Sequence, residues 1–327
     1  MNVFIDTNIY LTFFHMSHDD LEELNKVFVL QKNNNITLWM PDQVVDEFRR
    51  NRETKLADAI KRFSEEKFNN QIPQMVKEYP EYENLRNAKK DFETAKNAVL
   101  TKLKKDIGSK SLKADQLVSS IMLQAKRVTA SAKTLAAAKT RFDRGNPPGK
   151  NRSYGDAISW ECLLSDVPNG EDLFLITDDS DYFSPLNQDQ LNGFLAEEWE
   201  TKKSAKLFVY RRLSQFLTNK FPLAKLASEL EKEVQIKNLA ESRSFARTHE
   251  VISELTKFAD FTPPQVNDIV GAYISNSQVR WIICDQDVKV FAHFLLDKYS
   301  TIIDDEHAEK FQEFIRQCED ADEEVPF

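Results

Sequence analysis

Two short apolar runs, far apart in the chain, most constrain what it can fold into. Val3-Phe4-Ile5 stops at Asp6, and Leu173-Phe174-Leu175-Ile176 stops at Thr177-Asp178-Asp179-Ser180-Asp181. Each run is too short for a helix and apolar at consecutive positions. Both faces must therefore be buried, which describes an interior strand of a parallel sheet. Two further runs read the same way, Ile36-Thr37-Leu38-Trp39-Met40 and Lys206-Leu207-Phe208-Val209-Tyr210. Helical spacing separates them: Leu21 to Leu30, then Val44, Val45, Phe48, Leu56, Ile60 and Phe63 after Pro41-Asp42, and later Leu191, Phe194, Leu195 and Trp199. Strands alternating with helices predict an α/β fold, a parallel sheet covered by helices on both faces. Seven glycines and eleven prolines in 327 residues are about half the roughly 12% of an average protein. Long helices follow.

The pattern is interrupted once. Leu85, Ala88, Phe92, Ala95, Val99 and Leu103 step by three or four residues, and so do Leu117, Ile121, Ala125, Val128, Ala132 and Leu135, with Ile107-Gly108-Ser109 between them. This predicts an inserted helical hairpin over about 80–140, its helices packed along Leu/Ala seams with lysines outside. Residues 86–152 carry 17 Lys and Arg against 5 Asp and Glu, a balance of +12 in a chain of net charge −9. The last 27 residues hold 10 acids and 2 bases. Such polarity suits a nucleic-acid-binding surface on an acidic body, or a solvated helical arm.

Residues 1–220 thus read as one α/β domain containing the insertion, and 221–327 as a smaller, mostly helical C-terminal domain. In the latter, 223–260 is helical, Pro263-Pro264 restarts the chain, Val279 to Cys284 is strand-like, and a last helix spans Ala308 to Gln317. Its acidic end complements the basic segment, and the domain is open to regulation or to assembly with a second copy or a regulatory protein. No apolar stretch reaches the 18 or so residues of a membrane span, and MNVFIDTN lacks a basic-then-apolar leader, so a cytoplasmic protein with no membrane partner is expected. Cys162, Cys284 and Cys318 are odd in number and widely spaced, and are expected to be reduced thiols outside any disulfide or metal site.

The acids are the informative residues. Asp6 and the Asp178, Asp179, Asp181 group follow two strands, and parallel α/β sheets bind ligands at the carboxyl ends of their strands. Glu47 lies early in the helix after the second strand, where its side chain can point back to that edge. Asp156 sits in the first turn of a helix opened by Ser153. Each has a structural alternative: Asp6 as a turn residue, Glu47 as an exposed helix position, Ser153-x-x-Asp156 as a capping box, and the Asp178–Asp181 group as loop solvation. Gathered at one edge they would repel unless a multivalent cation is bound. An oxygen-only donor set suits Mg²⁺ or Mn²⁺.

Phe4-Ile5-Asp6-Thr7-Asn8, Glu47 after Pro41-Asp42, Gly155-Asp156-Ala157-Ile158 and Ile176-Thr177-Asp178-Asp179-Ser180-Asp181-Tyr182 together resemble the motifs of the PIN-domain nucleases. Arg144-Gly145-Asn146-Pro147-Pro148-Gly149-Lys150, followed by Gly155-Asp156 and Trp160-Glu161, resembles a large bacterial subgroup with a helical insertion. The resemblance covers residues 1 to about 220. It implies a PIN-like sheet and a Mg²⁺/Mn²⁺-dependent phosphodiesterase, most often acting on RNA, with a toxin or a defence effector as fitting settings. By carry-over Asp6, Glu47, Asp156 and Asp179 would hold the metal and perform catalysis, with Asp181 beside them. Thr7, Asn8 and Thr177 would orient the carboxylates. Asn8 also fits a loop cap, Trp160 a core position and Glu161 a salt bridge. Cleavage of single-stranded or flapped DNA is one alternative, and a nucleic-acid-binding regulatory adaptor without catalysis another. Lys126, Arg127, Arg141, Arg144, Lys150 and Arg152 are the expected nucleic-acid contacts. Lys89, Lys96, Lys104, Lys105 and Lys133 are expected to face outward with them. The five histidines form no arrangement suited to nucleophilic catalysis.

Overall fold

A computed structural model describes residues 1–15, 20–66, 72–149, 153–222 and 226–323. Five parallel strands form one sheet: β1 (Asn2–Ile5), β2 (Thr37–Pro41), β3 (Lys126–Val128), β4 (Leu173–Ile176) and β5 (Leu207–Tyr210), ordered β3-β2-β1-β4-β5. β1 is central because it is apolar on both faces; Val3, Phe4 and Ile5 are at most 1% exposed. It pairs with β2 on one side (Val3 with Leu38) and β4 on the other (Val3 with Phe174). The chain builds outward from β1 in both directions, so a switch point opens where β1 and β4 end. The Asp6 N–H donates to the Ile176 carbonyl (2.9 Å) and the Thr177 N–H to that of Tyr210 (3.0 Å), which ties these ends together.

The chain divides into two compact units, Met1–Pro222 and Leu223–Phe327. The first adds helices α1 (Thr7–Thr12), α2 (Leu21–Lys32), α3 (Asp42–Glu65), α4 (Glu81–Gly108), α5 (Lys113–Gln124), α6 (Ala132–Asp143), α7 (Tyr154–Asp166), α8 (Gly193–Lys203) and α9 (Leu213–Lys220). Asp20 starts α2 with a capping box closed by Glu23. α3 buries Val44, Val45, Phe48 and Leu56 on one face. Among the described residues no helix is long and apolar enough to cross a membrane. The expected parallel sheet flanked by helices, with a helical C-terminal region, is what the chain forms.

The insertion departs from the expected hairpin. Its second helix stops at Gln124, and Lys126-Arg127-Val128 becomes the edge strand β3, pairing with Trp39-Met40-Pro41. β2 would otherwise present an open edge, and the two basic residues of β3 guard the new one. α5 spends its apolar face on α2, burying Ala114, Val118 and Ile121, and Gln31 Nε2 donates to the Ile121 carbonyl (3.1 Å). α4 buries only Lys96, against the expectation that this lysine faces solvent. Its ammonium donates to the Glu66 carbonyl and pairs with Glu93, each at 2.9 Å.

Arg141 also departs from expectation. It is 4% exposed and cannot meet a nucleic acid, because acids on α7 and α8 enclose it. Its guanidinium donates to Glu161 (2.8 Å), to both carboxylate oxygens of Glu198 (2.6 and 2.7 Å) and to the Pro147 carbonyl. Trp160, fully buried, donates its indole N–H to the same Glu198 (2.9 Å). Burial alone would push the Glu198 carboxyl up, but the hydrogen bonds from Arg141, Lys202 and Trp160 hold it below the ordinary range. Arg144 is exposed, whereas Lys150 and Arg152 lie outside the described residues.

The second unit is helical: α10 (Ala227–Ala240), α11 (Phe245–Leu255), α12 (Pro263–Ser275), α13 (Ser277–Trp281), α14 (Gln286–Tyr299) and α15 (Asp305–Glu323). The expected strand at Val279 to Cys284 is instead α13 and the turn after it. Asn276 caps α13 by accepting the Gln278 N–H (2.9 Å), and Val279, Ile282 and Ile283 are buried at helical spacing. The cysteine expectation is corrected as well. Cys284 and Cys318 are disulfide-bonded, brought to a Cα–Cα distance of 5.2 Å by the packing of α14 and α15 across 34 residues of sequence; Cys162 is free and buried. Spacing could not announce a pairing made only by the tertiary fold. The side chains of the last acidic stretch, from residue 319 onward, lie outside what is described.

Two predictions follow from this packing. Arg141→Ala leaves two carboxylates without their buried partner and should cost about 3–5 kcal/mol in denaturant unfolding. Unchanged stability with weakened nucleic-acid binding would return Arg141 to a surface role. His249 on α11 sits between Asp287 (Nδ1, 2.8 Å) and Asp285 (Nε2, 3.2 Å), and the hydrogen bond to Asp287 chiefly raises its pKa above 6.5. A raised pKa gives stability that is fully present below 6.5 and lost as pH climbs through the folded value. The thermal midpoint of the wild type should fall relative to His249→Gln as the pH rises from below 6.5. Parallel profiles would mean that the ion pair contributes nothing.

Candidate active site

The acid-bearing loops meet at the switch point because each follows an element of the sheet edge. Asp6, directly after β1, is the N-cap of α1 and accepts the Thr7 N–H (2.6 Å). Its turn role and its place in the cluster therefore coexist. The second oxygen of Asp6 accepts the Thr177 hydroxyl (2.6 Å) and Asn8 Nδ2 (3.0 Å). Thr177, fully buried after β4, also receives the Asp179 N–H on its Oγ1 (3.0 Å). Thr7, Asn8 and Thr177 thus fix the carboxylates, Thr7 by donating to Glu47 Oε2 (3.1 Å).

Glu47 projects from the second turn of α3. Its other oxygen accepts Gln43 Nε2 (2.6 Å), one turn earlier on the same helix. Gly155 passes so close that a Cβ there would collide with Glu47 Oε1 and Gln43 Nε2. The glycine before Asp156 is therefore the close approach that lets α7 bring its acid to α3. Ser153 makes no cap bond to the backbone of α7, so the capping-box alternative does not form. Its side chain hydrogen-bonds Asp156 instead.

Electrostatics tie the four acids together. Burial pushes the Asp156 carboxyl up to about 8, with the charges of Asp6, Asp179 and Glu47 adding to the effect. Burial likewise pushes Asp6 up to about 6, against the hydrogen bonds from Thr177 and Thr7, while Asp179 and Glu47 raise it further. Asp179 is raised chiefly by burial and hydrogen-bonds Asp156. Burial and crowding thus penalise the charged forms of Asp6, Asp156 and Asp179, a penalty that a bound cation would offset. Among the described residues no three acidic, His or Cys side chains are close enough to cage an ion as they lie. The carboxylates spend their oxygens on Thr7, Gln43, Asn8 and Thr177. The donor set is nonetheless entirely carboxylate oxygen, which fits hard divalent cations such as Mg²⁺ or Mn²⁺.

The acidic loop is differentiated. Asp179 faces Asp156 and caps a turn by accepting the Asp181 N–H (2.9 Å). Asp181 accepts the N–H of Gly149 (3.0 Å), a residue whose φ of +111° favours glycine. Asp178 points away, exposed, and pairs with Arg211 (3.3 Å). Sequence reading missed Gln43 and Arg211. Gln43 could have been found four residues before Glu47 on one helix face. Arg211 follows β5 at the same sheet edge, and its guanidinium lies 3.8 Å from the Phe183 ring centroid.

Comparison with curated proteins and with solved structures finds no match. A family model described as a PIN domain matches residues 3–182, more than half of the chain and all four clustered acids. This chain therefore belongs to the PIN-domain family, whose members are in general metal-dependent nucleases.

Proposed function

We propose that this chain is an endonuclease that hydrolyses phosphodiester bonds, with RNA ahead of DNA as substrate and Mg²⁺ or Mn²⁺ as cofactor. Asp6, Glu47, Asp156 and Asp179 are its metal-holding and catalytic residues, with Asp181 adjoining. The observation that carries this reading is the meeting of four carboxyls from four separate elements at the sheet's switch point, each within the electrostatic influence of another. Divalent cations bound there supply an activated water and charge neutralisation at the scissile phosphate. The chain's own part is positional. Thr7 and Gln43 grip both oxygens of Glu47, while Thr177 and Asn8 hold one oxygen of Asp6 and the Thr7 N–H the other.

Exposed cations of the same unit support a nucleic-acid substrate. Arg144 is exposed, and so are Lys104, Lys105 and Lys133. Lys126 packs its ammonium 4.1 Å from the Trp39 ring centroid, and Arg127 pairs with Asp42. Both lie on the edge strand beside α3, the helix that carries Glu47. A backbone bound by such residues needs no base-specific contact.

The test is incubation of the purified full chain with labelled RNA, single-stranded DNA and flapped DNA, in Mn²⁺ or in EDTA. RNA should be cut in Mn²⁺ only. Asp6→Asn, Glu47→Gln, Asp156→Asn and Asp179→Asn should each lower the rate by more than about a hundredfold. The folded state should survive, since each change removes a crowded negative charge. Asp178→Ala should retain most activity, because that side chain faces Arg211. Preferential DNA cleavage would reassign the substrate, and tight binding without cleavage would favour the regulatory-adaptor reading.

A further inference from the structure

The loop between β4 and α8 carries Asp179 and its neighbour Asp181, and it folds back on itself. A short turn spans Ser180–Tyr182, after which Phe183 bridges Leu191. The Ser184 N–H donates to the Gln190 carbonyl (2.8 Å) and the Asn192 N–H to that of Tyr182 (2.9 Å), which leaves Gln188 at an exposed tip. Irregular backbone outside a sheet opens readily unless neighbouring elements hold it.

A side chain from outside the loop, Arg211, reaches its start, its turn and its tip. Arg211 directly follows β5, next to Tyr210, whose carbonyl accepts the Thr177 N–H (3.0 Å). Its Nη1 donates to Asp178 Oδ1 (3.3 Å), immediately before Asp179. Its guanidinium lies over the ring of Phe183, two residues after Asp181, at 3.8 Å from the centroid. Its Nε (3.1 Å) and Nη2 (2.6 Å) both donate to the Gln188 carbonyl. Contacts to one guanidinium, itself 24% exposed, therefore bracket residues 179–182 from both sides. Gln215 accepts the Arg211 N–H (3.1 Å) and ties the residue to α9.

These contacts differ in chemistry. The pair with Asp178 is long and its acid is 67% exposed, so water leaves it little strength. Paired donation to one carbonyl, combined with a contact over a ring, needs a flat, forked cation. An ammonium could supply the charge but not that combination.

We infer that Arg211 is a positioning residue: it clamps the loop between β4 and α8, holds Asp179 and Asp181 at the acid cluster, and so sets the affinity of the site for its divalent cation. The consequence for the cation rests on the reading of those acids as metal ligands, whereas the clamp itself does not. Two measurements on the full chain keep them apart. In hydrogen exchange, Arg211→Met should speed the Asp181 and Phe183 amides at least about tenfold and leave those of β1 and α7 unchanged. In calorimetric titration, Arg211→Met should weaken Mn²⁺ binding about tenfold, and Arg211→Lys should fall closer to Arg211→Met than to the wild type. A residue that merely stabilised the fold would lower the thermal midpoint without shifting the Mn²⁺ affinity of the folded molecules. Unchanged exchange at Asp181 and Phe183 would overturn the clamp. Wild-type Mn²⁺ affinity in Arg211→Met, or full rescue by Arg211→Lys, would overturn its role at the site. Faster exchange in Arg211→Met, in a chain whose wild type binds no Mn²⁺, would confine Arg211 to holding the loop and overturn the metal-site reading itself.

Discussion

The cost of burying carboxyl groups beside one another at the carboxyl edge of the sheet is the constraint around which the first unit is built. Nothing in the burial of an apolar core requires Asp6, Glu47, Asp156 and Asp179 to approach one another, and burial drives the pKa values of Asp6 and Asp156 upward. The chain holds them there by spending good hydrogen bonds on them, from Thr7, Asn8, Gln43 and Thr177. It also omits a side chain at Gly155, where any Cβ would displace the Glu47 carboxylate. Local cost accepted in this way is what a functional site, rather than a stabilising one, is expected to show. A divalent cation would convert the repulsion into attraction, which is why the cluster and the metal are one hypothesis.

The parts of the fold that the sequence disclosed are those in which local pattern and tertiary need coincide. β1 and β4 are apolar at every interior position because both faces are covered, and no helix could be that short. Each run ended in an acid, so the strands and half of the site were visible together. Glu47 and Asp156 were visible through their helices and the family motif. Their hydrogen-bond partners were less so, because Gln43 and Arg211 acquire meaning only once α3 and β5 are placed at the same edge.

Elsewhere periodicity misled for identifiable reasons. Leu117 to Leu135 steps like one helix, yet the open edge of β2 recruits Lys126-Arg127-Val128 and breaks the series. The apolar run at Val279 reads as a strand, but Asn276 caps a helix there and the buried positions fit that helix equally well. Arg141 looked like one more cation in a basic stretch. Its role was decided by Glu161 and Glu198, two acids distant in sequence, and a charge count cannot register such pairing. The basic balance of the insertion is thus divided between structural ion pairs, exposed cations and the long, sparsely packed α4.

The proposed joining of the four carboxyls into one divalent-metal site is open to direct measurement. Calorimetric titration of the full chain with Mn²⁺ tests it without reference to substrate or turnover. Binding should be saturable, and lost or weakened by at least about tenfold in Asp6→Asn and Asp179→Asn, acids that follow different strands, while Asp178→Ala binds as the wild type does. Undiminished Mn²⁺ binding in both Asp6→Asn and Asp179→Asn would contradict it.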